Sequence, residues 1–318
     1  MDSFPTSPIL VLGATGRHGN TGAHLVARLR AEGRTVRALS RGHNDRTAHL
    51  EALGAQVVIG DLQDRASLVP ALADVDLVYF AYPIAAGVVS AAANYAAAVR
   101  EAGRAPRTVV MSMGAAQQGH PSDLGKAQWL AEQVMEWAGL ELLILRVAAL
   151  FHENLLVLHS HSIRHNRTFR NSFGSAAMPW ISGRDAAELA VTALLHPERF
   201  PTAVTYPQGS ERLSHDDIAT LLSDVLSESV SFEPVSGDRW RQELIELSAT
   251  DESRVVNPAM AQHISAIGQA MSQSAPALPA DPVALQTLTG RPPVTMREFV
   301  ESHRAVFAPA GVPAGQPR

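Results

Sequence analysis

Three glycines that follow the first apolar segment form the most informative chemical pattern in the sequence. The apolar segment 8–12 leads into Gly13, Gly16 and Gly19, which stand three residues apart, and residues 18–32 have helical spacing. The first glycine permits a tight turn, the second lets backbone N–H groups approach a diphosphate, and the third allows a helix to pack closely on a strand. Because a strand precedes the turn and a helix follows it, the pattern predicts a dinucleotide site.

The spacing of the glycines leaves two registers open. Gly22 extends the series, so Gly16, Gly19 and Gly22 match the pattern as well. In the second register Gly22 packs the helix, and the roles of residues 17–20 shift with it. The residues expected to contact a dinucleotide at this turn are Gly13, Thr15, Gly16, Arg17, His18 and Gly19.

The end of the second predicted strand indicates which dinucleotide the site prefers. A site for NAD(H) commonly has an Asp or Glu there that accepts from the ribose hydroxyls, whereas this sequence has Ser40 and Arg41. A guanidinium suits a phosphate dianion, so Arg41 favours NADP(H). The competing interpretation is a solvated surface arginine, and the nearby Asp45 weighs against a phosphate site.

The ends of the next two predicted strands extend the same site. Asp61 and Leu62 follow the third strand, where a carboxylate can accept from the adenine amino group or cap the next helix. The fourth strand ends at Ala81, Tyr82 and Pro83, a small-residue exit over which a dinucleotide can lie. We therefore expect all five residues to contact the cofactor.

The elements that must position these residues alternate in type over the first 150 residues. The short apolar segments that predict strands are 8–12, 35–39, 56–59, 77–81, 108–111 and 142–145. The Ala- and Leu-rich segments that predict helices are 18–32, 45–53, 65–73, 86–102 and 125–138. Strands that alternate with helices predict an α/β fold, a Rossmann-type doubly wound parallel sheet.

The second half of the chain has a looser pattern and predicts a smaller C-terminal α/β lobe. Residues 183–195 and 214–226 still have helical spacing, and Ser214 with Asp217 forms a capping pair. Residues 248–281 have no persistent apolar period, which indicates either a mobile loop or a helical flap. We predict an NADP(H)-binding domain over 1–150, a substrate-binding lobe over 151–307 with segments that return to the first domain, and a disordered tail over 308–318.

Composition excludes several classes of function. The formal net charge of −5 gives no basic surplus for nucleic acid or an anionic membrane, which favours small-molecule partners. The absence of cysteine excludes disulfides, zinc–thiolate sites and a cysteine nucleophile. The polar N-terminus and short first apolar segment predict no signal or membrane span, so we expect a cytoplasmic protein, a monomer or a homodimer.

The order of these landmarks resembles the NmrA-like family of atypical short-chain dehydrogenase/reductases over almost the whole chain. That resemblance implies NADP(H) binding by the first domain and a cleft between the lobes for a small substrate. It also implies that Lys126 and Ser112 lie near the nicotinamide ribose, and that the substrate cleft begins at His152 and Asn154, where we expect Phe151 to contribute an apolar wall. The landmarks that carry it are 13–16, 60–62, Ser112, Lys126, 145–146, 151–155, Asp185, 213–217, 288–293 and Phe299.

The proton donor usual in short-chain reductases is missing. Those enzymes commonly use a Tyr four residues before a Lys. The only lysine is Lys126, and the residue four positions earlier is Ser122. None of the four tyrosines has the required spacing, so the standard acid is absent and not displaced by one residue.

Three kinds of chemistry fit such a site. Hydride can go to an acceptor that needs little acid help, such as a quinone, an activated enone or an iminium. Alternatively, Lys126, His152 or Tyr82 replaces the donor for a carbonyl, or the protein is a non-catalytic NADP(H) redox sensor that acts through a protein partner. We predict an NADPH-dependent oxidoreductase, with Ser112 as a third catalytic candidate beside Lys126 and His152, although a structural hydroxyl is equally consistent for Ser112.

Four histidines crowd one segment without predicting a metal site. The spacing of His152, His159, His161 and His165 matches no metal-ligand set. Pocket lining or surface positions explain them better, so we predict no metal.

Overall fold

The computed structural model describes residues 7–16, 18–114, 116–250, 255–274 and 279–309. Its strands are β1 (Ile9–Leu12), β2 (Val36–Ser40), β3 (Gln56–Ile59), β4 (Leu77–Phe80), β5 (Arg107–Met113), β6 (Leu142–Val147), β7 (Leu150–Phe151), β8 (Thr168–Asn171), β9 (Met178–Ile181), β10 (Val204–Thr205), β11 (Glu211–Leu213) and β12 (Ser231–Pro234). Its α-helices are α1 (Thr21–Ala31), α2 (Asp45–Ala52), α3 (Arg65–Leu68), α4 (Val88–Glu101), α5 (Asp123–Trp137), α6 (Ser160–Asn166), α7 (Gly183–Leu195), α8 (His215–Leu226), α9 (Gly237–Thr250), α10 (Pro258–Ser274), α11 (Pro282–Thr289), α12 (Met296–Ser302) and α13 (Arg304–Phe307).

A seven-stranded sheet organises the first half of the chain. Its strand order is β10-β6-β5-β4-β1-β2-β3, and every neighbouring pair is parallel. The order reverses between β1 and β4, and in such sheets ligands bind beyond the carboxyl ends of the strands at this switch point. The predicted Rossmann-type doubly wound sheet is therefore confirmed.

Both faces of the sheet are covered, which explains why its central strands read as continuous apolar segments. All four residues of β1 are buried, and alternate side chains of this strand enter two different apolar cores. One core lies under α1 and α7, and the other lies under α4 and α5. Small residues such as Ala91, Ala92 and Ala98 let α4 pack closely against its neighbours.

Two segments from the second half of the chain return to the first domain. The helix α7 packs against α1, and nearly every residue from Gly183 to Leu194 is buried. The strand β10 extends the sheet by pairing with β6. The remaining strands form a three-stranded sheet, β11-β9-β7, and a two-stranded sheet, β12-β8, and the helices around them complete the smaller C-terminal α/β lobe.

Two predicted elements differ in detail from the structure. The helix expected over 65–73 ends at Leu68 and continues as a 3₁₀ turn over 70–72, because Pro70 lacks the N–H that an α-helix needs. For residues 248–281 the sequence left a mobile loop or a helical flap open, and the structure has the helix α10 within this segment. Met260, Ile264, Ile267 and Met271 follow an i, i+4, i+7, i+11 spacing that small residues obscure in the sequence.

Asn257 starts α10 by accepting hydrogen bonds from the N–H groups of Ala259 and Met260 through its side chain. Residues 251–254, 275–278 and most of the predicted tail, 310–318, lie outside the described residues. Among the helices that are described, none combines the length and apolar character needed to cross a membrane.

Candidate functional site

The glycine turn after β1 has the geometry of a phosphate cradle. Gly13 has a φ of 90°, and a Cβ there would lie 2.5 Å from the carbonyl oxygen of Ala81. The N–H of Gly16 donates to the carbonyl of Gly13 at 3.0 Å. Asn20, the N-cap of α1, makes no capping hydrogen bond through its side chain to any described residue. The first N–H groups of α1 therefore point without a side-chain cap toward the edge where a diphosphate binds, so these residues fit the group.

The structure distinguishes the two registers of the glycine pattern. A Cβ at Gly22 would lie 2.5 Å from the carbonyl oxygen of Gly13 and 2.6 Å from the Cα of Ala14, so Gly22 is the residue that packs α1 on the turn. Gly19 has a φ of 71° and lies against the ring of Phe151. The packing role thus belongs to the second register. The predicted contact residue Arg17 lies outside the described residues.

The residues expected at the adenosine end lie together at the ends of β2, β3 and β4. Burial raises the pKa of Tyr82. The hydrogen bond from Gln63 and the charge of Arg41 lower this pKa, whereas the charge of Asp61 raises it, so all three groups are neighbours of Tyr82. Asp61 does not cap α3, because the N-cap is Asp64. The carboxylate of Asp61 instead accepts from the N–H of Gln63 at 2.9 Å.

A second guanidinium reaches the same turn. At the start of α2, Nη1 of Arg46 lies 3.3 Å from the carbonyl oxygen of Gly16 and 3.4 Å from that of Thr15. Sequence analysis assigned no role to Arg46, because its approach to the turn depends on how α2 packs beside α1. Arg41 and Arg46 therefore put two guanidinium groups on the β2 side of the site.

A crevice of about 700 Å³ separates the glycine turn from the second lobe. One wall comes from the turn, α1 and α2, and the other comes from the segment after β7, the start of α7 and α12. Residues from both walls include Ala14, Thr15, Asn20, His24, Asp45, Arg46, Glu153, Arg184, Phe299 and His303.

Glu153 is a titratable group of this crevice that sequence analysis missed. Its carboxylate accepts from the N–H of Gly183, the first residue of α7, at 3.0 and 3.1 Å. Burial raises the pKa of Glu153 to about 7, and the charge of Asp185 acts in the same direction. The only sequence signal was its place between two residues that were already candidates.

The predicted substrate-facing residues flank Glu153. His152 is fully buried, burial lowers its pKa to about 3, and neither ring nitrogen has a hydrogen-bond partner within the described part of the chain. Its ring packs on Phe299 with the ring centres 5.3 Å apart. The Oδ1 atom of Asn154 is likewise buried without a described partner. Buried polar groups of this kind are costly unless a ligand or water satisfies them.

His18 lies beside the turn, between the two lobes. Its ring contacts that of Phe151 with the centres 5.9 Å apart. Burial lowers the pKa of His18 to about 4, and its Nδ1 is buried without a partner among the described residues. His18 and Phe151 thus meet at the predicted junction of cofactor and substrate.

Ser112 is engaged in a buried ion-pair cluster. Its hydroxyl donates to Glu132 on α5, and Glu132 pairs with Arg146 on β6 at 2.5 Å. Arg146 also donates to the hydroxyl of Tyr206 at 2.6 Å. The cluster joins α5 to the sheet, and this geometry supports the structural interpretation of the Ser112 hydroxyl.

Lys126 lies in the first turn of α5, beyond the carboxyl end of β5. Its side chain is half exposed, and the ammonium is 3.6 Å from a carboxylate oxygen of Asp123. Its backbone N–H donates to the carbonyl of Ser122 at 3.2 Å, so Ser122 and Lys126 are one helical turn apart. Lys126 thus lies at the same sheet edge as the glycine turn, and its catalytic role stays a prediction.

The helix α10, one of the two alternatives that the sequence left open for this segment, forms a roof over this edge. The side chain of Asn257 donates to the carbonyl of Ile84, just after β4, at 2.9 Å. The N–H of Asp123 donates to Gln262 at 3.1 Å, and Ser122 contacts His263 at 2.6 Å. The roof therefore covers the carboxyl ends of β4 and β5.

Comparisons with known proteins agree with this architecture. The chain is 28% identical over 311 residues to an NAD(P)H azoreductase of Xenophilus azovorans, which covers 95% of this chain and 100% of the relative. A quinone oxidoreductase of Escherichia coli in complex with NADPH superposes with a TM-score of 0.76 at 20% identity, covering 93% of this chain and 99% of that one. The triphenylmethane reductase of a Citrobacter species, complexed with NADP(H), gives 0.73 at 20% identity, covering 92% and 99%.

A family model described as the NmrA-like family matches residues 5–281. The match includes the glycine turn, the whole parallel sheet and most of the second lobe. This chain belongs to the NmrA-like family.

Proposed function

We propose that this protein is an NADPH-dependent oxidoreductase that transfers hydride to a small organic acceptor. The observation that carries the proposal is the glycine turn at the switch point, where the start of α1 has no side-chain cap and Gly13 makes a tight turn against the backbone of Ala81. Relatives and structural neighbours named as NAD(P)H- or NADPH-dependent reductases support it. NADPH bound at this edge would supply the hydride.

The proposed orientation of the cofactor follows from the strand order. The diphosphate lies at the start of α1, and the adenosine extends over β2 and β3, toward Arg41, Asp61 and Leu62. The nicotinamide half then extends over Ala81 and the ends of β4 and β5, toward Lys126. Arg41 and Arg46 supply positive charge for a 2′-phosphate, which favours NADP(H) over NAD(H).

The proposed acceptor site lies under the second lobe, beside Phe151, His152 and Asn154. The ring nitrogens of His152 and the Oδ1 atom of Asn154 are unsatisfied within the described residues and lie next to apolar side chains. They suit a small conjugated molecule with one or two polar atoms. The names of the relatives indicate azo compounds, quinones and triphenylmethane dyes as acceptors of those proteins. We therefore propose a quinone, an activated enone, an iminium or a carbonyl compound for this chain.

One observation favours a second candidate function. The position of the usual tyrosine acid is Ser122, and Lys126 is paired with Asp123. A protein of this kind that binds NADP(H) without turnover would sense the redox state of the cofactor and act through a protein partner.

Two measurements separate these candidates. Fluorescence titrations with NADPH and NADH test the cofactor, and loss of NADPH absorbance with a panel of quinones, enones, ketones, azo compounds and cationic dyes tests turnover. We expect tighter binding of NADPH and steady oxidation with at least one acceptor. Binding without any turnover would favour the sensor, and no binding of either dinucleotide would contradict both.

A further inference from the structure

Ser122 is the centre of a buried hydrogen-bond network between α5 and α10. The residue is completely buried, and its Oγ accepts from the N–H of Gly125 at 3.0 Å. The N–H of Ser122 donates to Nδ1 of His120 at 2.9 Å. The same Oγ is 2.6 Å from Nδ1 of His263 and 3.0 Å from Nδ1 of His120.

These contacts favour one arrangement of protons on the two imidazole rings. Because Nδ1 of His120 accepts a backbone N–H, it is unprotonated, and that lone pair is already engaged. The hydroxyl proton of Ser122 is accordingly assigned to the nearer acceptor, Nδ1 of His263, at 2.6 Å. A neutral imidazole whose Nδ1 accepts a hydrogen bond carries its proton on Nε2.

Both imidazoles are neutral at physiological pH. Burial lowers the pKa of His263 to about 3, with smaller contributions from the neighbouring His120 and His18. Burial also lowers the pKa of His120. Within the described part of the chain, the Nε2 atom of His263 makes no hydrogen bond, so its N–H is available to a ligand.

The network lies over the half of the site assigned to the nicotinamide. The roof helix α10 is tied to Ile84 after β4 and to Asp123 at the start of α5. His263 is also a neighbour of His18, which follows the glycine turn. His263 and its helix therefore contact the segments that follow β1, β4 and β5. Ser122, its partner, occupies the position of the absent tyrosine.

We propose that His263 is the electrophile of this site: its neutral imidazole, oriented by Ser122, donates a hydrogen bond from Nε2 to the oxygen or nitrogen of a neutral acceptor. This inference rests on the proposed reductase function. His263 would be the catalytic residue because it touches the acceptor, and Ser122 would be a positioning residue. A neutral imidazole is known to polarise a carbonyl in this way in other enzymes.

The charge balance of the reaction explains why such a donor is needed. In a two-electron reduction one C–H bond breaks at the cofactor, one bond to hydrogen forms at the acceptor, and the electron pair moves with the hydrogen. A neutral quinone or carbonyl is left with a negative oxygen, which Nε2–H of His263 stabilises until water supplies a proton. A cationic dye is neutralised by the hydride itself, so its reduction needs no donor.

The difference between these acceptors is the basis of the test. Reduction of 1,4-naphthoquinone and of the cation crystal violet is measured for wild-type protein, His263→Leu, His263→Gln and Ser122→Ala. The exposed His161→Leu, on α6, serves as the matched control. We expect His263→Leu to lower kcat for naphthoquinone by about 100-fold, as loss of one oxyanion donor does, and kcat for crystal violet by less than about twofold.

The other variants separate chemistry from structure. Glutamine puts an amide N–H close to the position of Nε2, so His263→Gln should recover part of the naphthoquinone activity. Ser122→Ala should lower that activity by about tenfold, because the imidazole loses its orienting partner while the donor remains. Thermal unfolding and NADPH titration of each variant establish that the fold and the cofactor site are retained.

A second readout does not depend on turnover. Nitrogen-15 NMR of the histidine side chains reports the tautomer of each ring, and we expect His263 with its proton on Nε2 in wild-type protein. Parallel losses with both acceptors, or a proton on Nδ1 of His263, would overturn the inference while leaving the reductase function intact. If no acceptor supports NADPH oxidation by the wild-type protein, the proposed function itself is overturned, and this inference falls with it.

Discussion

At the scale of single residues, the site depends on close approaches between backbone atoms. Gly22 lies over the carbonyl of Gly13 and the Cα of Ala14, so α1 packs directly on the turn. Only a glycine, which has no Cβ, permits so close an approach between α1 and the backbone of Gly13 and Ala14. The glycine thus positions the first N–H groups of α1, which are the proposed diphosphate ligands.

Replacing Gly22 with alanine should therefore disturb both stability and cofactor binding. The added Cβ would lie 2.5 Å from a backbone oxygen that cannot rotate away, and such overpacking costs about 1–3 kcal/mol. Chemical denaturation and NADPH titration measure the two effects. Gly119→Ala is the control, because nothing lies within 4 Å of a Cβ there. Unchanged stability and affinity for Gly22→Ala would contradict the packing role.

The two guanidinium groups near the turn should decide cofactor preference. Arg41→Ala and Arg46→Ala should each weaken NADPH binding by about tenfold, equivalent to about 1.4 kcal/mol, and change NADH binding little. The reason is that only NADPH carries the 2′-phosphate. Paired titrations give the ratio of the two Kd values, with the exposed Arg241→Ala on α9 as control. An equal loss of affinity for NADPH and NADH would mean that these arginines stabilise the fold of the site and do not recognise the 2′-phosphate.

At the scale of elements, the start of α7 is linked to a titratable group. Glu153 accepts the first N–H of this helix, beside the glycine turn and in the crevice. Burial disfavours the ionised carboxylate more than the N–H favours it, since the pKa of Glu153 is raised to about 7. A raised carboxyl pKa means that the folded state holds a proton that the unfolded state loses near pH 4.5.

The stabilising contribution of this protonated carboxyl is complete below about pH 4.5 and is lost as the pH rises through about 7. Glu153→Gln mimics the protonated form and should gain stability relative to wild-type protein at about pH 8 but not at about pH 5. Denaturation curves at both values measure the difference.

Glu298→Gln is the matched control for Glu153→Gln. Glu298 also accepts a backbone N–H at a helix start, but its pKa is lowered by hydrogen bonds with Thr295, so this variant should instead lose stability at neutral pH. The same pH dependence in both variants would contradict the assignment for Glu153.

At the scale of the whole molecule, buried imidazoles make the fold sensitive to acid. Burial lowers the pKa of five histidines to between about 3 and about 4. Two of them, His159 and His215, pack among the aromatic rings of the second lobe. Unfolding restores an ordinary pKa of about 6.5, so the unfolded state binds more protons below that value.

The stabilising contribution of these neutral imidazoles should therefore be complete above about pH 6.5 and fall steeply below it, by up to about 1.4 kcal/mol per pH unit for each buried imidazole. Denaturation series at about pH 7.5, 6.5 and 5.5 measure this slope. His215→Phe, which keeps an aromatic ring without a titratable group, should reduce the slope, and His161→Leu on the surface should not. A flat profile across this range would show that the imidazoles are solvated in the folded protein.

Local patterns in the sequence predict those parts of this protein that depend on neighbouring residues. The alternation of apolar segments and helical spacings predicted the doubly wound sheet, and the glycine spacing predicted the turn after β1. Gly22 was recognised as an alternative, but the choice required the distance to Gly13. Ser122 was recognised only as the place where a tyrosine is absent.

Tertiary structure alone decided which distant groups meet. Ser122 and His263 are 141 residues apart, and Glu153 and Gly183 are 30 apart, so no local spacing relates either pair. The physical reason is that backbone preference arises from neighbouring residues, whereas contacts across the sheet edge arise when buried helices find their packing positions. The roof helix α10 brings His263 to the site because its apolar stripe packs on the second lobe.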